Sequence, residues 1–412
     1  MTDLAASQSN PGYLKLELCA KGIRLDAEAR QHAESVRGPF NGDETARGVE
    51  LVLPEDVWVS APLDESGRVG TPFELSIIGD GIVLQRDGSR MEARLVAQPE
   101  FYGKLTTRGT PMWHVARIFG SCIAVNPSAA CGYTVRGRAC AFCQDGTESA
   151  PDVVLAATPQ EVTEAVGAAF DEGVGEFVYF NTGHFAGEDG GIGFLEPYIR
   201  AIKRHFDTLV AVQVHPPTTN AWIDRTYAMG VDALSYAVEV YDPEVLSRVC
   251  PGRARHFGPA RYAEALQHAA IIFPHGTVWS ELIVGMEPPE STIRGIDALT
   301  SMGVVPVLSV VRPAAGDLGA AGGSLETLLP IYAHLFHAVR AARINMGWVR
   351  DLSFAITPLE ARFFAGDEAR MAVAMQQFYR SRIGNMTARN LARLRRRLRV
   401  RRVSDSFDSS HL

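Results

Sequence analysis

Along this chain the spacing of apolar and polar positions changes character near Phe119. Between Tyr13 and Glu100, short alternating runs predict strands at Val49–Leu53, Val57–Ser60, Phe73–Ile78 and Gly81–Gln85, and turn sequences such as GDG and RDGS separate them. Beyond Phe119, runs of strand length alternate with stretches of helical period. The predicted strands are Ser121–Val125, Phe177–Asn181, Leu209–Val214, Ala233–Val240, Val278–Val284 and Val304–Val311. Between them lie the amphipathic stretches Pro159–Phe170, Leu195–Phe206, Asn220–Met229, Pro243–Cys250, Pro259–Ile271 and Ser291–Met302. Strand–helix repeats of this kind imply a parallel sheet with right-handed crossovers, either doubly wound or curled into a barrel. In both, chemistry gathers at the carboxyl ends of the strands. After residue 320 the pattern becomes helical, at Leu325–Arg343 and Asp367–Arg402. The resulting division is an unstructured start over 1–12, a β-rich appendage over 13–104, an α/β core over 105–320 and a helical extension over 321–412.

Immediately after the first core strand stands CGYTVRGRACAFC, which holds Cys131, Cys140 and Cys143 with eight residues in the first gap and two in the second. Three thiolates in one loop can hold three irons of a [4Fe–4S] cube and leave the fourth open to a small molecule. Competing readings explain less. A structural zinc site usually has four ligands, often as two close pairs, and only one such pair exists here. A redox CxxC leaves Cys131 without a role. The other cysteines, Cys19, Cys122 and Cys250, are scattered, and six in 412 residues is no disulfide framework. Cys122 repeats the eight-residue gap to Cys131, but it lies inside a predicted strand and reads as a buried thiol.

Composition narrows the class without deciding it. Hydrophobic residues make up 46% and charged residues 21%, as in an ordinary globular enzyme. A net charge of −7 argues against a nucleic-acid coat. The first residues lack a signal-peptide pattern, and no apolar run reaches the ~18 residues of a membrane span. Reduced thiols then favour the cytoplasm.

The cysteine loop and the segments after it resemble the radical S-adenosylmethionine (radical SAM) enzymes over roughly residues 105–315. The usual spacing in that family is CxxxCxxC, from which this CX8CX2C loop departs; the closest flavour is the biotin synthase and thiamine tyrosine-lyase branch. The resemblance implies a partial (β/α)6 barrel of TIM-like form, one [4Fe–4S] cluster on Cys131, Cys140 and Cys143, and S-adenosyl-L-methionine as cofactor. It further implies that Phe142 packs beside the adenine and that Asn181, Thr182 and Gly183 receive the methionyl amine. Glu239 in EVYDPEVLSRVCPG meets the ribose or amino group, and Ile283 and Gly285 offer backbone to the adenine. Implied as well are a small-molecule substrate and a reductant such as flavodoxin or ferredoxin.

Strand ends supply further candidates. Gln213, His215 and Arg312 end the third and sixth strands, where substrate contacts compete with a satisfied core histidine and a salt bridge; His184 and Ser280 are weaker candidates. An unpaired carboxylate at Glu239 would be costly when buried, so a ligand or an ion pair is expected there. At the carboxyl end, ARNLARLRRRLRVRR carries eight arginines between Arg389 and Arg402 and an apolar stripe of Leu391, Leu394 and Leu398. Such a helix either docks by its stripe or meets an anionic surface or acidic partner. Against the enzyme stand two other classes, an electron-carrying iron–sulfur protein and a zinc-dependent barrel hydrolase. The first would not need six strand–helix units. The second would need more His and Asp at strand ends. Within the enzyme class, rearrangement, bond formation and methyl transfer all remain compatible with the residues.

Overall fold

The structure is a computed structural model, described over residues 10–31, 48–64, 70–78, 81–87, 89–128, 131–143, 157–311, 325–346 and 352–403. Six parallel strands run in chain order across one sheet: β1 (Cys122–Val125), β2 (Phe177–Asn181), β3 (Val210–Gln213), β4 (Ala233–Ser235), β5 (Val278–Val284) and β6 (Val305–Val310). A short antiparallel strand, Arg117–Phe119, extends the β1 edge. The sheet curls into an open half-barrel with helices outside, so the partial TIM-like barrel is realised.

Alternation along the strands decides which side chains face which layer. On β2, Val178 and Phe180 are buried under the helices, whereas Phe177 and Tyr179 face the barrel lumen. On β5, Leu282 and Val284 join the core while Trp279 and Glu281 face inward. The ladder of β4 is shorter than the apolar run predicts, stopping at Ser235 instead of Val240. Beyond it the Ser280 hydroxyl donates to Tyr236 O and accepts from Val238 N, both at 3.0 Å, replacing ladder hydrogen bonds. Backbone pairing resumes at Glu239, whose N–H reaches Glu281 O at 2.7 Å.

The first crossover helix, α1 (Pro159–Glu172), is capped on both sides. Thr158 and Glu161 form a capping box, and Gly173 closes the helix in the left-handed region. Glu161 is buried and also accepts from Thr106 and Thr110, at 3.2 and 2.6 Å. Burial alone would raise its carboxyl, but the hydrogen bonds from Thr110, Thr158 and Thr106 win and hold it at about 2. A depressed acid stabilises the fold above its unfolded value near 4.5 and loses that contribution as pH falls toward 2. Denaturant midpoints of wild type and Glu161→Gln should therefore differ most above pH 5 and converge by about pH 2; a constant gap would show that charge is not involved.

Two antiparallel hairpins, Gly48–Leu53 with Val57–Pro62 and Phe73–Ile78 with Gly81–Arg86, form the amino-terminal sheets. They enclose a second core together with a helix, Pro11–Lys21, that the apolar pattern does not predict. Asn10 caps this helix, accepting from Gly12 N and Tyr13 N, so Pro11 and Gly12 are helical rather than unstructured; residues 1–9 lie outside the described residues. The helix is buried almost all round and shows no polar face. Lys15 is fully buried, with Nζ 2.7 Å from Glu360 and 2.6 Å from Leu352 O.

The carboxyl-terminal helices are Leu325–Ala341, Arg370–Arg380 and Arg382–Val403, with a single turn at Arg362–Ala365. The continuous helix expected over 367–402 breaks at Ser381, which is extended and whose hydroxyl caps the next helix at Gly384 N. No helix among the described residues is long and apolar enough to cross a membrane.

Candidate functional site

The cysteine loop is tied down at two places. At one end Gly132 N donates to His184 O at 2.8 Å, and His184 N donates to Cys131 Sγ at 3.3 Å. This pairing fixes the loop to the segment leaving β2. It leaves no room for side chains: a Cβ on Gly183 would stand 2.7 Å from Cys131 Cβ, and one on Gly132 would stand 2.7 Å from His184 O. Gly183 and His184 therefore stand against Cys131. Tyr133 stacks on the His184 ring with centroids 4.0 Å apart.

At its other end the loop is anchored by Ala141 N donating to Val249 O at 2.8 Å, beyond β4. Cys140 is buried here with Ile283 and Met286, and half-buried Phe142 and Cys143 pack on the same group. Cys140 Sγ, Cys250 Sγ and a carboxylate oxygen of Glu239 lie within 4.8 Å of one another. A hydrogen bond from Cys250 brings the Cys140 thiol down to about 6 against the effect of burial, helped by the Arg253 guanidinium; Cys250 is correspondingly raised. This lowering favours the thiolate, the form that binds metal.

Glu239 holds a left-handed backbone at φ 63°. Its carboxylate meets Arg253 end-on, with Nη2 donating to Oε1 at 3.0 Å and Nη1 2.8 Å from Oε2. Burial pushes the carboxyl up to about 8, and the guanidinium opposes that rise. The ion pair weighed for this position is present. Its partner Arg253, together with Cys250 and Tyr133, was not singled out by sequence reasoning. The available signal was the buried carboxylate's need for a cation, and PGRARH supplies one two residues after the proline.

The remaining candidates separate. His215 is buried, with Nδ1 3.0 Å from Tyr262 Oη, and burial holds it neutral. Gln213 accepts from Tyr179 Oη at 2.9 Å and faces the lumen below the loop. Ser280 is committed to backbone, as described above. Gly285 follows β5 with φ 97°. Arg312 lies outside the described residues. Cys122 is fully buried, donates to Phe119 O at 3.1 Å and is pushed up to about 12, as expected of a core thiol.

Polar groups beside Cys131 test whether a ligand fits. Thr182 Oγ1 and both ring nitrogens of His184 are buried and have no hydrogen-bond partner among the described residues. Burial, with His256 and the nearby arginines, lowers His184 to about 4, so it is neutral at physiological pH. Buried orphans are uncommon in folded proteins and usually mark a missing partner. Three unbridged cysteines and unsatisfied polar atoms fit a sulfur-ligated metal group with a polar small molecule alongside.

No family model matches the chain. A bacteriochlorophyllide c C-7(1)-hydroxylase from Chlorobaculum limnaeum is 25% identical over 108 residues, covering 26% of this chain and 27% of the hydroxylase. Among solved structures, the FeFe-hydrogenase maturase HydG from Carboxydothermus hydrogenoformans aligns with a TM-score of 0.41 at 19% identity, covering 55% of this chain and 53% of that one. A radical SAM methyltransferase from Sphaerobacter thermophilus aligns at 0.38 and 14% identity, covering 66% and 76%. The chain thus spans about a quarter of the hydroxylase and about half of the maturase. The cysteine loop follows the first parallel strand, and the other segments of the resemblance to the radical S-adenosylmethionine enzymes follow the second, fourth and fifth.

Proposed function

We propose that Cys131, Cys140 and Cys143 ligate three irons of one [4Fe–4S] cluster and that S-adenosyl-L-methionine binds beside it. The single observation that carries this reading is the set of buried polar atoms without a hydrogen-bond partner among the described residues, Thr182 Oγ1 and the His184 nitrogens, on the segment that pairs with Cys131. When bound, the pair supplies one-electron cleavage of a carbon–sulfur bond and a carbon radical able to abstract hydrogen from a small-molecule substrate. A flavodoxin- or ferredoxin-like protein supplies the electron.

The chain's own residues then bind, orient and exclude. Thr182 donates to the cofactor's polar end, and neutral His184 offers one donor and one acceptor without adding charge. Asn181 and Gly183 shape that approach. Phe142, Ile283 and the backbone at Gly285 provide an apolar slot for the adenine. Arg253 keeps the Glu239 carboxylate oriented toward the ribose or amine. Helices outside and apolar walls inside keep water from the reacting atoms.

Anaerobically reconstituted and reduced protein should convert S-adenosylmethionine to methionine and 5′-deoxyadenosine, slowly even without substrate. Chromatography of the quenched mixture is the measurement. No 5′-deoxyadenosine from a verified, reducible cluster would remove the radical reading and leave an electron carrier.

A further inference from the structure

Below the cysteine loop the lumen opens into a cavity of about 570 Å³ that reaches the amino ends of the strands. That size suits a bulky small molecule. Its walls are mainly apolar, with Tyr179, Trp279 and Phe354 on the barrel side and Leu391, Leu394 and Leu398 on the carboxyl-terminal helix. These leucines are 51%, 55% and 59% exposed, although the helix that carries them is firmly held. Arg389 and Arg393 bind Asp207, Arg396 binds Asp232 and the carbonyls of Tyr227 and Val231, and Arg399 binds the carbonyls of Ile271 and Ile272. Four guanidiniums thus brace the helix under the barrel while its apolar stripe faces open space. Packing does not fill the lumen, so the stripe is left available to a ligand.

Charge inside the cavity is distributed unevenly. Arg395 lines the floor and makes no hydrogen bond or ion pair among the described residues. Asp232, the acidic group nearest on the floor, is taken by Lys203 and Arg396. Higher up, Glu281 faces the lumen beside Tyr179. Gln213 stands at the carboxyl end of β3, where its carbonyl accepts from Thr182 N at 3.3 Å, so the cavity's upper end adjoins the cysteine site.

We propose that the substrate is an apolar carboxylic acid whose body fills this lumen and whose carboxylate rests on Arg395. The contact with Arg395 on the floor fixes the orientation. The carbon presented to the site is then at the end remote from the carboxylate. This inference rests on the radical reading for its chemistry but not for its binding.

Two dyes that share one ring system separate the claims: 1-anilinonaphthalene-8-sulfonate, which is an anion, and neutral N-phenyl-1-naphthylamine. By fluorescence titration the full chain should bind both, and the anion about ten-fold more tightly, the size of one charged contact in a half-buried site. Arg395→Gln should abolish that preference while keeping the neutral dye. Leu394→Glu should weaken both. Arg397→Gln, which removes an exposed neighbouring charge, should change neither. Failure of the native chain to bind either dye, or equal effects of the Arg395 and Arg397 changes, would overturn the proposal. Formation of 5′-deoxyadenosine by the native chain is scored separately. Cleavage without dye binding sinks this inference alone, and dye binding without cleavage sinks the radical reading alone.

Discussion

Alanine at any one of Cys131, Cys140 or Cys143 should reduce reconstituted iron from about four per chain to a small residue and abolish cofactor cleavage. Each thiolate would hold one iron, and Cys131 stands against the backbone of Gly183 and His184. Cys122→Ala should keep both iron and cleavage, because its thiol is sealed in β1 and pushed up to about 12. The informative comparison is Cys250→Ala, since Cys250 adjoins Cys140. If iron survives Cys143→Ala but not Cys250→Ala, the third ligand is Cys250 and the proposed assignment is wrong. Iron and sulfide analysis with the visible absorption of the cluster decides between them.

Arg253→Met should destabilise the chain, and increasingly as pH rises past 8, because the buried Glu239 carboxyl, already pushed up to about 8 beside the guanidinium, must then keep its proton to stay folded. The guanidinium is 13% and the carboxylate 10% exposed, so water cannot replace the hydrogen bonds that Arg253 gives Glu239. Adding Glu239→Gln to the same chain should recover most of the loss, since a neutral amide carries a smaller desolvation penalty. Urea midpoints of wild type, single and double variants measure this. If the double variant is as weak as the single, the hydrogen bond from Arg253 to Ala237 O, and not the charge pair, is what matters.

Much of the barrel was legible because its strands and helices have clean periods. Phe177–Asn181 and Val278–Val284 lie where alternation puts them, and each crossover helix falls within a few residues of its predicted span. What failed to show did so for physical reasons. The Pro11–Lys21 helix is wrapped by protein, so its amphipathic signal is gone, and its Lys15 looks like a surface residue until Glu360 is beside it. In β4, the Ser280 hydroxyl substitutes for ladder bonds, and no apolar pattern encodes that exchange. At the site, the cysteine spacing and Thr182–Gly183–His184 could be read in order. Arg253 and Cys250 could not, because what they do depends on elements that meet only in the folded chain.

The Lys15–Glu360 pair also orders events in time. A ribosome adding about 5–20 residues per second releases Lys15 well before its partner, which lies 345 residues later, so the nascent chain waits roughly twenty seconds to about a minute. Throughout that interval the ammonium has no carboxylate to accompany it into the core, and an unpaired buried charge is not tolerated. The Pro11–Lys21 helix is therefore expected to settle only after Glu360 has been made, and until then it stays open to chaperones and proteases.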